Sequence, residues 1–360
     1  MALIDAFFKF MHEVGGSDLH LVSGSQPLIR LKGSIEKVKY KVLENSELKK
    51  MLYEIAPDEK IQIFEETGDV DFGYEIPNIA RYRANFFNQK WGVGAVFREI
   101  PSKIPTVEQL GLPPVIAKLS SLPKGLVLVT GPTGSGKSTT LATIIDHANR
   151  TRRDHILTIE DPVEFVHMSI KCVVNHREVF THTRSFSSAL RGALREDPDI
   201  IMVGEMRDLE TISLALEAAN TGHLVMGTLH TTSAASTVDR IIDIFPANEQ
   251  AQIRASLADA LRAVVAQSLF RRVDGNGRVA SLEILLATPA VRNLIREGKI
   301  HQIATTIQTG RKFGMQSMDD AILDHLLAGR ISPTDAYSKC IDKAKFRQYL
   351  TSPPEDFTDV

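Results

Sequence analysis

Apolar residues recur along this chain with two different periods, and the change between them divides it. Ile4, Phe7, Phe8 and Met11 fall at helical spacing and predict an amphipathic helix at the N-terminus. Asp18 to Val22 then alternates like a strand, and Pro27 to Leu31 and Lys37 to Val42 read as further short strands with Gly33 at a turn. Ser46 to Glu54 and Asp58 to Glu66 read as helices, followed by strands at Val70 to Tyr74, Ala80 to Phe87 and Gly94 to Arg98. Prolines at 101, 105, 113 and 114 interrupt the pattern and predict a linker over 101–115. Residues 1–100 are thus expected to form a small α/β domain and 116–360 a second one.

The second domain alternates strand and helix. Apolar runs at 126–130, 155–159, 200–203 and 223–228 read as strands with helices between them, which implies a parallel sheet covered on both faces. The last third turns helical. It holds a hairpin at Leu269 to Val273 and Val279 to Leu286 around Asp274-Gly275-Asn276-Gly277, and helices opened by Thr288-Pro289 and Ser332-Pro333. The segment from 288 to 360 is expected to be mostly helical, with an acidic tail that frays from Ser352.

In such sheets ligands sit at the carboxyl ends of the strands, so the residues after each strand carry the chemistry. After the first comes Gly131-Pro132-Thr133-Gly134-Ser135-Gly136-Lys137-Ser138, which fits G-x-x-x-x-G-K-[ST] without a gap, and Thr139 continues into a helix. Glycines let backbone N–H groups approach phosphate oxygens, and a helix N-terminus adds partial positive charge. Lys137 is placed to reach the β- and γ-phosphates of a nucleotide, and the Ser138 hydroxyl to bind Mg²⁺.

The second strand ends in Glu160-Asp161-Pro162-Val163-Glu164, three carboxylates suited to Mg²⁺ or to the attacking water. The third ends in Gly204-Glu205, with glycine where nucleotide hydrolases usually carry aspartate. Glu205 is a candidate to polarise water, and Glu160, Asp161 or Glu164 to replace the missing metal partner. His230 follows the fourth strand and His223 begins it. Only His230 is placed near the phosphates, while His223 reads equally as a structural histidine. Cys172, His176 and His182 are too few and too loosely spaced for a zinc site.

Composition narrows the classes. The net charge is −2, with 13 basic against 15 acidic residues in 1–100 and 29 of each beyond, so no basic stripe marks a general nucleic-acid binder. Two cysteines suggest a reducing compartment. No apolar run approaches the roughly 18 residues of a membrane helix, and the N-terminus lacks the basic region of a signal peptide. A cytoplasmic protein is expected.

Four stretches then agree on one family. GPTGSGKST at 131–139, IEDPVEF at 159–165, ALREDPDIIMVGEMRD at 193–208 and TGHLVMGTLHT at 221–231 resemble the type IV pilus retraction ATPases of the type II/IV secretion ATPase superfamily. The likeness runs from GGSDLHL at 15–21 to GMQSMD at 314–319 and includes the departure at Gly204. The resemblance implies a PAS-like N-terminal domain, a RecA-like ATPase domain, a hexameric ring, and ATP with Mg²⁺ between the domains. It implies an ATP-driven motor for pilus retraction, working at the inner face of the cytoplasmic membrane through the pilus platform protein and alongside a paralogous retraction ATPase.

Arg83 and Arg98 match positions where the superfamily aims arginines at the phosphates, and Arg81 lies alongside. Spacing alone favours a solvated sheet face for all three. Glu164 and Glu205 are assigned to water and metal without choosing one base, with Arg195 and Arg207 as salt-bridge partners of the acids. AVRNLIRE at 290–297 resembles a retraction-branch segment. Helical spacing puts Arg292 and Arg296 on one face, expected to be free for a partner, with ordinary surface pairing as the alternative. Other readings compatible with the motifs are the accessory retraction paralogue, an extension or secretion ATPase, a DNA-translocating ATPase and a non-hydrolysing assembly protein.

Overall fold

A computed structural model describes residues 3–31, 34–77, 79–100 and 103–352, so the expectations for a turn at Gly33 and for the acidic tail beyond 352 fall outside the described residues. The chain divides into two compact units, one of residues 1–103 with 161–166 and one of 104–160 with 167–360.

The first unit is a six-stranded antiparallel sheet with three helices. In chain order these are α1 (Asp5–Val14), β1 (Asp18–Val22), β2 (Leu28–Leu31), β3 (Ser34–Lys37), α2 (Asn45–Tyr53), α3 (Asp58–Thr67), β4 (Asp69–Ile76), β5 (Ala80–Gln89) and β6 (Gly92–Ile100), with strand order β3-β2-β1-β6-β5-β4. The third strand is Ser34–Lys37 and not Lys37 to Val42. It pairs Leu28 with Lys37, and Pro27, which lacks an N–H, ends the ladder there. Alternation along β5 puts Tyr82, Ala84 and Phe86 in the core and Arg81, Arg83 and Asn85 on the other face. The core centres on Phe8, whose ring lies 4.4 Å from Tyr82 and 4.8 Å, edge-on, from Phe97.

The second unit is a seven-stranded sheet in the order β13-β12-β7-β11-β10-β8-β9, parallel except for β13. Its elements are α4 (Val115–Leu119), β7 (Gly125–Thr130), α5 (Lys137–Thr151), β8 (His155–Glu160), β9 (Val173–Glu178), α6 (Phe186–Ala193), β10 (Ile200–Val203), α7 (Leu209–Thr221), β11 (Leu224–Leu229), α8 (Ala234–Asp243), α9 (Gln250–Ala260), β12 (Leu261–Arg271), β13 (Arg278–Leu286), α10 (Pro289–Arg296), α11 (Ile303–Thr309), α12 (Met318–Leu327), α13 (Pro333–Lys339) and α14 (Lys343–Arg347). One face packs on α4 and α5, the other on α6 to α10, and residues from 318 onward gather a separate small core around Phe270 and Val279.

Three sequence expectations change here. Val107 and Leu112, inside the stretch read as a linker, are buried in the α4–α5 core. The first hairpin strand begins at Leu261 and not Leu269, because Ala263 to Ala266 are fully buried between β7 and β13. An apolar run of that length does not declare its period, so packing decides it. The edge strand β9 was not anticipated. Its outward N–H groups at Val174 and Glu178 are capped by Ser169 Oγ and His182 Nδ1, both at 3.0 Å, which shields part of an otherwise open ladder.

Truncation of Phe8 to alanine is expected to destabilise the first unit by about 3–5 kcal/mol. Urea unfolding followed by near-UV circular dichroism of the tyrosines packed on it checks this, and an unchanged midpoint would contradict the central role of that ring.

Candidate functional site

The parallel ladders of the second unit set the site. Thr130 pairs with Leu229, Val203 with Gly227, and Val203 with Ile159. Four strands therefore end together, and Gly131, His230, Gly204-Glu205 and Glu160 emerge side by side at the carboxyl edge.

The loop after β7 is shaped by its glycines. Gly131 has φ +142°, and a Cβ there would come within 2.3 Å of the Gln267 carbonyl oxygen. Gly136, at φ +87°, opens α5 with no side-chain cap, so the first N–H groups of that helix are left to a ligand. Pro132, Thr133 and Gly134 are exposed at the tip, while Gly131 and Ser135 are buried. The Ser135 Oγ lacks a hydrogen-bond partner among the described residues. Lys137 Nζ donates to the carbonyls of Gly131 at 2.9 Å and Pro132 at 3.1 Å, which draws it back across the loop. Ser138 and Thr139 sit half-buried in the first turn of α5.

Gln267, in β12 one residue past the partner of Thr130, was not singled out from the sequence. Its Nε2 donates to Ser135 O at 2.6 Å and its Oε1 accepts from Thr140 Oγ1 at 2.7 Å, so one buried amide ties the loop to the first turn of α5. A polar residue closing the apolar run from Ala263 to Ala266 was the available signal.

Glu205 lies between His230 and Arg207. His230 Nε2 stands 2.7 Å and Arg207 Nε 2.5 Å from its Oε1. Burial pushes the Glu205 carboxyl up, but the Arg207 hydrogen bond and charge, helped by His230, outweigh it and hold the group below its ordinary range. Gly204 explains itself sterically. A Cβ there would lie 3.2 Å from Ile159 O and 3.3 Å from Glu160 Cα, so the aspartate usual at this position would press on the end of β8 and push it by a few tenths of an ångström. Thr228 Oγ1 donates to Gly204 O at 2.5 Å and locks that backbone.

Glu160 ends β8 in the second unit and is buried, whereas Asp161 and Glu164 fall with the first unit. Arg81, Arg83 and Arg98 share the polar face of the first unit's sheet. Arg83 and Arg98 are register partners across β5 and β6. Arg98 Nε donates to the buried Asp18 at 2.8 Å, Arg83 lies 3.6 Å from Asp71, and Gly73 leaves room for the Arg81 guanidinium. Burial raises the Asp18 carboxyl, but hydrogen bonds from Ser17 and Arg98 lower it on balance, which keeps the anchor ionised.

Other candidates are placed elsewhere. His223 lies at the opposite end of β11, its Nδ1 3.0 Å from Ala218 O at the end of α7. Arg195 is exposed after α6 and forms no ion pair with a described acid. Cys172 is buried against the Ala148 and Arg152 carbonyls, His182 caps β9, and His176 bonds Thr158 Oγ1 at 2.7 Å and stacks on His167, whose imidazole burial pulls down to about 4. Arg292 and Arg296 do not form a free face. Arg296 bonds Asp259 at 2.5 Å across to α9, Arg292 is half-buried near Arg262, and Glu297 is engaged by Lys299 and Asn293.

The model of the family described as "Type II/IV secretion system protein" matches residues 2–318. A type IV pilus retraction ATPase of Pseudomonas aeruginosa, PilT, is 54% identical over 93% of this chain and 97% of its own length. The type IV pilus ATPase PilU of the same organism is 38% identical over 92% of this chain and 87% of its own. The crystal structure of a pilus retraction motor PilT with bound ADP superposes with a TM-score of 0.88 at 44% identity, covering 96% of this chain and 98% of that one.

Two consequences follow for measurement. Gln267→Leu removes two buried hydrogen bonds at about 1–3 kcal/mol each and is expected to raise the KM for ATP about tenfold or more, since the loop loses its anchor. Steady-state turnover checks it, and an unchanged KM would remove Gln267 from the site. Arg207→Ala removes the main influence that lowers the Glu205 carboxyl while its burial remains. The acid limb of kcat should then move to higher pH, and a pH–rate profile identical to wild type would show that Glu205 does not govern that limb.

Proposed function

The chain belongs to the type II/IV secretion system protein family, among its pilus retraction ATPases, and from this premise we propose how its residues run the reaction and what surrounds it. It is an ATP-hydrolysing motor of pilus retraction and twitching motility. The 54% identity to PilT against 38% to PilU favours the main retraction motor over its accessory paralogue.

The convergence of the glycine loop with the Glu205–His230 pair carries the mechanism. N–H groups at the start of α5 hold the β- and γ-phosphates, and Lys137 leaves its carbonyl partners to reach them. Ser138 would hold Mg²⁺ with one or two carboxylates among Glu160, Asp161, Glu164 and Glu205. That fits, because Mg²⁺ takes few protein ligands and completes its shell with phosphates and water, and among the described residues no three His, Cys, Asp or Glu converge on one metal position. When bound, Mg²⁺ neutralises charge on the phosphate oxygens.

Glu205, held below its ordinary range chiefly by Arg207, orients the attacking water with Glu164, and His230 reports the γ-phosphate through the same carboxylate. Arg83 and Arg98, with Arg81 beside them, supply positive charge to the transferring phosphoryl, a contribution worth about 10³–10⁵ in rate in related chemistries. The motor works as a homohexameric ring at the inner face of the cytoplasmic membrane, engaging the pilus platform protein and a paralogous retraction ATPase. No helix among the described residues is long and apolar enough to cross a membrane.

A deletion strain complemented with wild type, Lys137→Ala or Glu205→Gln tests this reading. Both variants should fail to restore twitching and leave excess surface pili, and purified Glu205→Gln should bind ATP while kcat falls about 10²-fold or more. Bald cells on deletion, or near-normal turnover of Lys137→Ala, would contradict it.

A further inference from the structure

Glu283 is a buried carboxylate that the hydrolysis chemistry does not use. It lies in the middle of β13, and only 7% of the residue is exposed. Its Oε1 accepts from the Ala234 N–H, the first residue of α8, at 2.6 Å. The backbone N–H of Met318, the first residue of α12, also acts on this carboxyl and favours its charged form. Two helices separated by more than eighty residues of chain therefore begin beside one carboxyl group.

Capping alone does not account for this. Ser233 already caps α8 by accepting from Ser236 N in a reciprocal box, and Ser317 caps α12 by accepting from Asp320 N. Those serines satisfy the third N–H of each helix, while Glu283 accepts from the first N–H of α8 and is influenced by that of α12. Burial is the larger influence and raises the Glu283 carboxyl, and the N–H groups of Ala234 and Met318 at two helix N-termini offset part of that cost. What Glu283 adds beyond two ordinary caps is the connection between them.

One side of the connection reaches the nucleotide edge. Thr237 of α8 is fully buried, lies 2.6 Å from Thr231 Oγ1 and 3.5 Å from Thr130 Oγ1, and donates to Ser233 O at 2.7 Å. Thr231 follows His230, and Thr130 precedes Gly131. The first turn of α8 therefore rests on both the root of the phosphate loop and the turn that carries the Glu205 partner. The other side reaches the C-terminal helices. Met318 and Ile322 of α12 belong to the small core that includes Phe270, Val279, Ala336, Tyr337 and Phe346. Gln316, just before α12, pairs with Ile284 and donates its Nε2 to Leu282 O at 3.1 Å, so the joint lies flat on β13.

We infer that Glu283 is a positioning residue that couples the His230 turn, through α8, to α12 and the C-terminal helical core, so that a nucleotide-dependent shift of that turn is passed to the last third of the chain. The inference rests on the nucleotide reading of the His230 turn. A neutral amide cannot serve both N–H groups, because glutamine offers one oxygen and presents an NH₂ group to the second donor.

The test is hydrogen exchange on the full-length protein with ADP and with a non-hydrolysable ATP analogue, read on peptides covering 131–139, 230–237 and 317–326. In the wild type all three should differ between the two nucleotides. In Glu283→Gln the first two should still differ and the third should cease to respond. Its kcat should fall several-fold while the KM for ATP stays within about twofold, since the phosphate loop is untouched. Glu283→Asp keeps the charge and shortens the reach by one methylene, so it should uncouple 317–326 in the same way. A 317–326 peptide that is silent in the wild type, or that still responds in either folded variant, overturns the inference. A KM that rises in step with the loss of kcat does so too, because it would mark general damage to the site. Absence of any nucleotide response at 131–139 would instead overturn the nucleotide reading, and this inference with it.

Discussion

The parallel ladder from β7 through β11 and β10 to β8 is the constraint on which the rest depends. Its register brings Thr130, Leu229, Val203 and Ile159 to one edge, and each is followed by a residue with chemistry to do. A shift of one residue in any strand would turn its side chains to the other face and move its loop out of line. The strands are fully buried on both faces, so that shift would also expose the apolar cores. The same packing that stabilises the second unit therefore fixes the distances among the loop, Glu205 and His230.

Close approach at this edge explains which residues are small. Gly131 lies against the Gln267 carbonyl and Gly204 against the end of β8, and neither position admits a Cβ without displacing backbone. Glycine at 204 costs the usual aspartate, and the carboxylates that remain nearby sit at the ends of strands. Glu205 is kept charged by Arg207 and His230 in spite of its burial. The site is thus built to hold an anion ready beside a cradle of N–H donors, which suits water activation at a phosphate. Gln267 gives the cradle its rigidity from a strand far away in sequence.

The first unit solves a different problem with the same alternation. Its aromatic core uses one face of each strand, and the other face is left to Arg30, Arg81, Arg83 and Arg98 with Asp18 and Asp71 between them. Asp18, buried and ionised, orients Arg98 and lies near Arg30, so the cations are held apart by an anion and not left to repel one another.

Local chemistry was legible wherever a residue's role depends on its near neighbours in sequence. The phosphate loop, the acid at Glu205 and the histidine after β11 could be placed because strand, turn and helix follow each other within a few residues, and the end of a parallel strand has a known side of the sheet. The alternation of the N-terminal strands likewise put Arg81 and Arg83 on one face from spacing alone. Contacts between distant segments could not be read this way. Residues 261–268 look equally like helix or strand until β7 and β13 bury them, and Val107 and Leu112 look like linker until α4 and α5 cover them. Arg296 has a free face on a helical wheel, yet Asp259 of α9 occupies it. The partners of Gln267 and Glu283 carry no local signal, because Ser135, Thr140, Ala234 and Met318 lie tens to more than a hundred residues away. The sequence alone determined which groups have the chemistry and at which end of the sheet they emerge. The tertiary structure decided which buried amides and carboxylates hold them there, since a hydrogen bond depends on distance in space and only the packed fold sets that distance.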